Sequence, residues 1–314
     1  MQTVEQHPAS GGHLKDHPAR GAACILGAAA AFSTMSVLIR HLSGHLPDGM
    51  LVFWRSFFSL VFLTPLLLKL SWTHLKSERM HLHVIRAVSG LLSMYCLFYA
   101  LGHLPIAEAT LLNQTATLFV PFIGLVWLKE PVAMKVRWAI LIGFTGVLLV
   151  MPPGRGIVSW VALIGLASGF TAAFSVVTIR YSSRTEPTTR IVFYFCLYAT
   201  LGSALPLPWI WVTPGWSEMP LLVAIGALAA LGQLLMTRGY ALAPAAQVGP
   251  FGYGNIVFSV LAGWAIWGET PRLLFWLGGA LIVIGGITAL RGELLGISPE
   301  EPRTPDGTDA PGST

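Results

Sequence analysis

Apolar residues run along this chain in ten blocks, at roughly 21–39, 49–68, 82–101, 105–128, 136–152, 158–179, 190–212, 219–241, 245–267 and 273–290. A helix that spans a bilayer needs about 20 mostly apolar residues, and each block supplies nearly that or more. The links between blocks are short and polar. Residues 1–20 are polar, and 291–314 are rich in Pro, Gly and acids, too poor in apolar side chains to order themselves. The pattern predicts an all-α integral membrane protein with ten transmembrane helices between two cytoplasmic tails, the second disordered.

Composition sharpens this reading. Of 314 residues, 54% are hydrophobic and 11% charged, and the mean hydropathy is +0.68. A soluble domain carries roughly 25% charged residues, so a water-soluble globular enzyme is excluded. The three cysteines, Cys24, Cys96 and Cys196, stand apart inside apolar runs and form no disulfide framework. The net charge of +5 reads as topology, not as a nucleic-acid footprint. With the N-terminus in the cytoplasm, fourteen Lys and Arg fall on that side and three, Arg40, Arg155 and Arg272, on the other, while Arg55 and Arg86 lie within blocks. Positive charge favours the cytoplasmic side, so both termini are expected there.

The two halves repeat. Gly124 to Glu130-Pro131 matches Gly263 to Glu269-Thr270-Pro271, and a shift of 139 residues also aligns Gly146 with Gly285, Pro105 with Pro244 and Ala107 with Ala246. The first repeat covers 21–152 and the second 158–290. Five helices per repeat is an odd number, so the second half starts from the opposite side of the membrane. Such inverted repeats build alternating access around a midplane site.

These residues resemble the EamA-type members of the drug/metabolite transporter superfamily. The resemblance rests on Phe53-Trp54-Arg55-Ser56, Arg86 to Gly90, Phe98 to Ala109 and the paired endings at Glu130 and Glu269, and it spans about residues 20–292. It implies a secondary carrier of small organic metabolites in a bacterial inner membrane. Many relatives export amino acids or similar compounds, and others import riboflavin or S-adenosylmethionine.

The polar residues inside the blocks carry the candidate chemistry. In the fourth block Thr110, Asn113, Gln114 and Thr117 share one helical face, and Pro121 is expected to kink the helix. Its repeat mate reads Gln247-Val248-Gly249-Pro250-Phe251-Gly252-Tyr253-Gly254-Asn255, where regular helix is costly. Paired interruptions point to a carrier's binding site, while small residues equally serve tight helix packing. We therefore take Asn113, Gln114, Thr117, Tyr253 and Asn255 as substrate-site candidates, with Tyr95, Tyr99, Gln233 and Arg55. Arg55 suits a carboxylate, or a packing role. Arg86 reads as snorkelling to the nearby interface or as a packing ion pair. Glu108 is the coupling candidate, or a first-turn acid favoured by the helix N-terminus.

No phosphate-binding loop of the form GxxxxGK(S/T) occurs, so energy comes from a gradient or exchange, with protons as a candidate coupling ion. No metal site and no cofactor are expected, because no His lies deep in a block. An intramembrane enzyme would need clustered catalytic groups, which the blocks lack. The expected partners are a small polar or zwitterionic metabolite and membrane lipid. Export of amino-acid-like compounds, opine-type metallophores among them, fits best; import of a vitamin or nucleoside-like metabolite is the alternative.

Overall fold

The computed structural model describes residues 17–68, 77, 79–120, 123, 134–150, 160–183, 185–243 and 245–295. Among these, ten helices follow the ten blocks: α1 Pro18–Leu42, α2 Asp48–Leu68, α3 Met80–His103, α4 Ile106–Gln114, α5 Met134–Val150, α6 Trp160–Ser182, α7 Thr188–Ala204, α8 Met219–Leu242, α9 Gly254–Trp267 and α10 Leu273–Leu295. Five of them, α1, α2, α3, α6 and α8, are each long and apolar enough to cross a bilayer as single helices. Many large apolar side chains are exposed, Val61, Phe62, Val88, Leu92, Leu148 and Leu261 among them. A surface of that kind faces lipid, not water. Because successive helices alternate in direction, α1 begins on the face where α10 ends. We call this the terminal face and the other the far face.

The fourth and ninth blocks are broken. Helix α4 stops at Gln114, Thr115 makes a turn, and helix resumes over 116–120. Thr115 caps its own break, its Oγ1 donating to the Leu112 carbonyl at 2.6 Å. The kink expected at Pro121 lies outside the described residues, and the break found here comes six residues earlier. In the ninth block one helical turn, Ala245–Val248, leads into a 3-10 turn, Gly249–Tyr253, before α9 begins. Pro250 has no N–H to give an α-helical ladder, which is why the tighter turn forms there.

Packing shows the repeat directly. Each of the first five helices has its mate five places on. Exchanging mates turns the α3–α6 pair into α8–α1, α2–α8 into α7–α3, and α4–α6 into α9–α1. The α5–α10, α2–α7 and α4–α9 pairs map onto themselves. The fold is thus two inverted five-helix repeats about a pseudo-two-fold axis in the membrane plane.

The α5–α10 seam carries the closest approach. A Cβ on Gly146 would stand 2.5 Å from the Gly278 carbonyl, and one on Gly285 2.6 Å from the Ala139 carbonyl. The repeat alignment pairs Gly146 with Gly285 and Ala139 with Gly278, so one contact occurs twice. Small residues let membrane helices approach this closely. Gly285→Leu is expected to force the helices apart at a cost of about 1–3 kcal/mol, read as a lower unfolding temperature of the purified protein. Gly146→Leu should do the same by symmetry.

Candidate functional site

The two breaks meet. Gln114, the last residue of α4, donates from Nε2 to the Gly252 carbonyl at 2.7 Å. That carbonyl lies in the 3-10 turn, where the Gly254 N–H also reaches it, and Gln114 adds a donor across the repeat interface. Beside this bond lies a cavity of about 200 Å³. Asn113, Gln114, Thr117, Asn255, Gln233 and Arg55 line it, together with Ser36, Ser93, Ser175, Phe98, Phe195 and Tyr240. Asn113 is held by α6, its Nδ2 donating to Ser168 Oγ at 3.0 Å. Asn255 Oδ1 is buried and has no hydrogen-bond partner.

Arg55 and Arg86 are the two largest fully buried side chains, at 2% and 1% exposure. Their guanidinium carbons lie 5.6 and 4.3 Å from the centroid of one ring, Phe195 of α7. Arg86 donates from Nη2 to Gln233 Oε1 at 2.9 Å. Nε and Nη1 of both arginines find no partner. Among the described residues neither forms an ion pair with a carboxylate. The expected snorkelling or ion pair of Arg86 is therefore corrected: the side chain runs inward between α3, α7 and α8, where the Phe195 ring and the Gln233 amide receive it. Its Oε1 engaged, Gln233 has its NH₂ group left to offer the cavity.

Other candidates fall elsewhere. Tyr253 is buried against α10, its hydroxyl close to Thr117 Oγ1 and 3.4 Å from the Ile282 carbonyl, and it braces the break from behind. Tyr99 stacks on His103 at 4.3 Å, and Tyr95 packs beside Gly49. Neither lines the cavity. The face of α3 that does so carries Gly90, Ser93, Met94, Leu97 and Phe98, and positions 95 and 99 point about 100° away from 94 and 98. Glu108 also lies outside the lining; its charged neighbours are Arg272 and Glu269.

The cavity has different ends. It reaches Arg180 and Tyr240, two residues from the terminal-face ends of α6 and α8, and stops at Ser36, one turn short of the far-face Arg40. There Arg40 forms an ion pair with Glu269 and lies 4.5 Å over Trp267. Glu269 Oε2 also accepts the Ile106 N–H at 3.3 Å. This latch ties the far ends of α1, α4 and α9. Gly268, at φ 65°, makes it geometrically available. Its left-handed turn lets the Glu269 N–H return to the Gly263 carbonyl at 3.1 Å and swings the carboxylate back over the helix ends.

On the terminal face His83, at the start of α3, is buried. Its Nε2 meets Glu186 Oε2 at 2.9 Å and Ser77 Oγ at 3.2 Å, and its ring packs 4.6 Å from Tyr194. Among the described residues no three His, Cys, Asp or Glu side chains are grouped to hold a metal.

The comparisons with known proteins decide the family. The model of the EamA-like transporter family matches twice, over residues 19–151 and 159–291. The chain belongs to the EamA-like transporter family. This EamA-like chain is 36% identical over 263 residues to the pseudopaline exporter CntI of Pseudomonas aeruginosa (strain UCBPP-PA14), covering 83% of this chain and 92% of that protein. It is 30% identical over 278 residues to the riboflavin transporter of Vibrio cholerae serotype O1, covering 86% and 93%. It is 24% identical over 254 residues to the S-adenosylmethionine uptake transporter of Rickettsia bellii (strain RML369-C), covering 80% and 86%. One solved crystal structure, 23% identical, shares the fold with a TM-score of 0.63 over 88% of this chain and 99% of that one. The chain is thus a membrane-embedded transporter of small molecules and not an enzyme.

The latched far end of the cavity predicts that access from that side is blocked. With the native cysteines replaced, Ser36→Cys should react with an impermeant maleimide from the terminal face and resist it from the far face. Adding Arg40→Ala should open far-face labelling by releasing the latch. Equal labelling from both faces before that change would contradict a closed far end.

Proposed function

We propose that this protein exports a small zwitterionic, amino-acid-like metabolite, of the opine-type metallophore class, from the cytoplasm across a bacterial inner membrane. The observation that carries this reading is the cavity at the meeting point of the two broken helices, lined by Asn113, Gln114, Thr117, Gln233, Asn255 and Arg55. Amides and hydroxyls there offer donors and acceptors, and Arg55 offers a cation, a set suited to a molecule bearing both an amine and a carboxylate. The similarity to the pseudopaline exporter points to the same class and to the outward direction.

The terminal face is assigned to the cytoplasm, where fourteen of the Lys and Arg residues fall. Helices α1–α5 form one functional half and α6–α10 the other, with the tails outside both. Protons are the coupling ion and Glu108 the coupling residue in this reading. Its place beside Arg272 and Glu269 sets it next to the far-face latch, where release of the latch exposes it to the outer solution. Membrane lipid is the remaining partner, covering the apolar outer faces.

Gln114→Leu and Asn255→Leu should each weaken substrate binding while the protein inserts and folds. Losing one hydrogen bond to a charged group costs about 1.5–3 kcal/mol. Wild-type affinity in both variants, measured on monodisperse protein, would sink the reading of the breaks as the substrate site. Separately, Glu108→Gln should abolish gradient-driven accumulation in proteoliposomes and spare substrate exchange. An unchanged pH dependence of transport in that variant would remove Glu108 from coupling.

A further inference from the structure

We propose that the Arg55 end of the cavity is a carboxylate site and that the transported molecule is an organic acid with one carboxylate, or two, presented to it. The inference rests on the cavity being the substrate site, and it names the group held at the Arg55 end as a carboxylate.

The argument starts from charge. Arg55 lines the cavity at 2% exposure with Nε and Nη1 buried and unpartnered. Arg86 shares the Phe195 ring from 4.3 Å and adds a second buried charge behind the first. No Asp or Glu is among the lining residues. Two like charges in a low-dielectric interior with no counter-charge repel each other and lose hydration. An arriving anion relieves both costs at once.

The donor inventory points the same way. A guanidinium carries N–H donors only, arranged as a fork that matches the two oxygens of a carboxylate. Gln233 accepts from Arg86 at Oε1, so its NH₂ faces the task as one more donor. Phe195 supports the guanidinium planes by cation–π contact and, being apolar, offers nothing that would compete for them. The guanidinium end of the cavity thus offers donors and suits a carboxylate, while the unpartnered Asn255 Oδ1 and the hydroxyls elsewhere in the lining remain to accept from an amine. Arg86 is a positioning residue here: it aims Gln233 and reinforces the field, while Arg55 makes the contact.

The test uses the purified full chain and its unfolding temperature in the presence of succinate, glutarate and glutamate, each against the matching diamide, with inorganic phosphate as a further arm. The diacids should stabilise the wild type saturably and the diamides should not. Arg55→Gln should weaken diacid affinity by about tenfold or more, and Arg55→Lys, which keeps the charge and loses the fork, should fall between. The acid–amide contrast on the wild type stands even where Arg55→Gln fails to fold. Diamides matching the diacids, phosphate outperforming every diacid, no diacid stabilising at millimolar concentration, or wild-type affinity in Arg55→Gln would each overturn the proposal. Gln114→Leu separates the two readings. Diacid binding lost with Arg55→Gln and untouched by Gln114→Leu supports the anion site and removes the break from the substrate site. Binding lost only with Gln114→Leu overturns the anion site and leaves the break in place.

Discussion

In hydrocarbon no water is present to satisfy a freed backbone group, so a helix can open at mid-membrane only where protein or a wet cavity receives what it releases. Local hydroxyls meet that condition at the α4 break, where Thr115 and Thr117 donate to the Leu112 and Gln114 carbonyls, and the Gln114 to Gly252 hydrogen bond meets it across the repeats. It closes the end of α4 with a side chain and the 3-10 turn before α9 with a carbonyl, at 2.7 Å. A hydrogen bond of this kind contributes about 0.5–1.5 kcal/mol, and here it couples the two breaks without being the sole partner of the carbonyl. The pseudo-two-fold axis is what makes the solution available, because it brings repeat-related positions to one level. The cavity exists where the two interruptions answer each other.

The buried arginines follow a different logic. Insertion scales place an Arg at a helix centre near 2.5–3.5 kcal/mol, and a cation–π contact recovers roughly 0.5–2 kcal/mol. Phe195, shared by Arg55 and Arg86, therefore does not offset two such charges. No acid is among the lining residues to neutralise them. Stability alone gives no account of this arrangement. The apolar seams, such as the doubled Gly146–Gly278 and Gly285–Ala139 approach, hold the helices together without it.

Much of this was legible in the sequence because two periodicities were available. The apolar blocks gave the helices, and the 139-residue shift gave their symmetry. The stripe in the fourth block named Asn113, Gln114 and Thr117, all of which line the cavity. What stayed hidden depended on facing. Tyr95 and Tyr99 sit on α3 at the right depth and on the wrong side, because nothing in the chain reports which face of α3 meets α6. Tyr253 lies in the predicted interruption, yet its ring turns toward α10, where Gly286 leaves room for it. Arg86 lies nearer a helix end than Arg55, and depth along the helix suggested a route to water. The route is blocked by packing from α7 and α8, which only the fold reveals.

The symmetric scaffold carries unsymmetric chemistry. On the far face Arg40, Glu269 and the Ile106 N–H form a compact latch. Its repeat mates in the sequence are Arg180 and Glu130, of which Glu130 lies outside the described residues; among the described residues of the terminal face, His83, Glu186 and Ser77 join the start of α3 to the connection between α6 and α7. Aligning Pro47-Asp48 with Pro187-Thr188 matches Glu186 to Leu46, and the 139-residue shift matches His83 to Leu222, both of them buried apolar residues. The polar cluster has no twin. Backbone symmetry makes two opposed conformations similar in packing, since each mates the same helices in exchanged roles. Side chains that break the symmetry make the two unequal in energy and so set which one the empty carrier populates, while the gradients set the direction of net transport. The repeats thus supply the motion, and the residues that differ between them bias it.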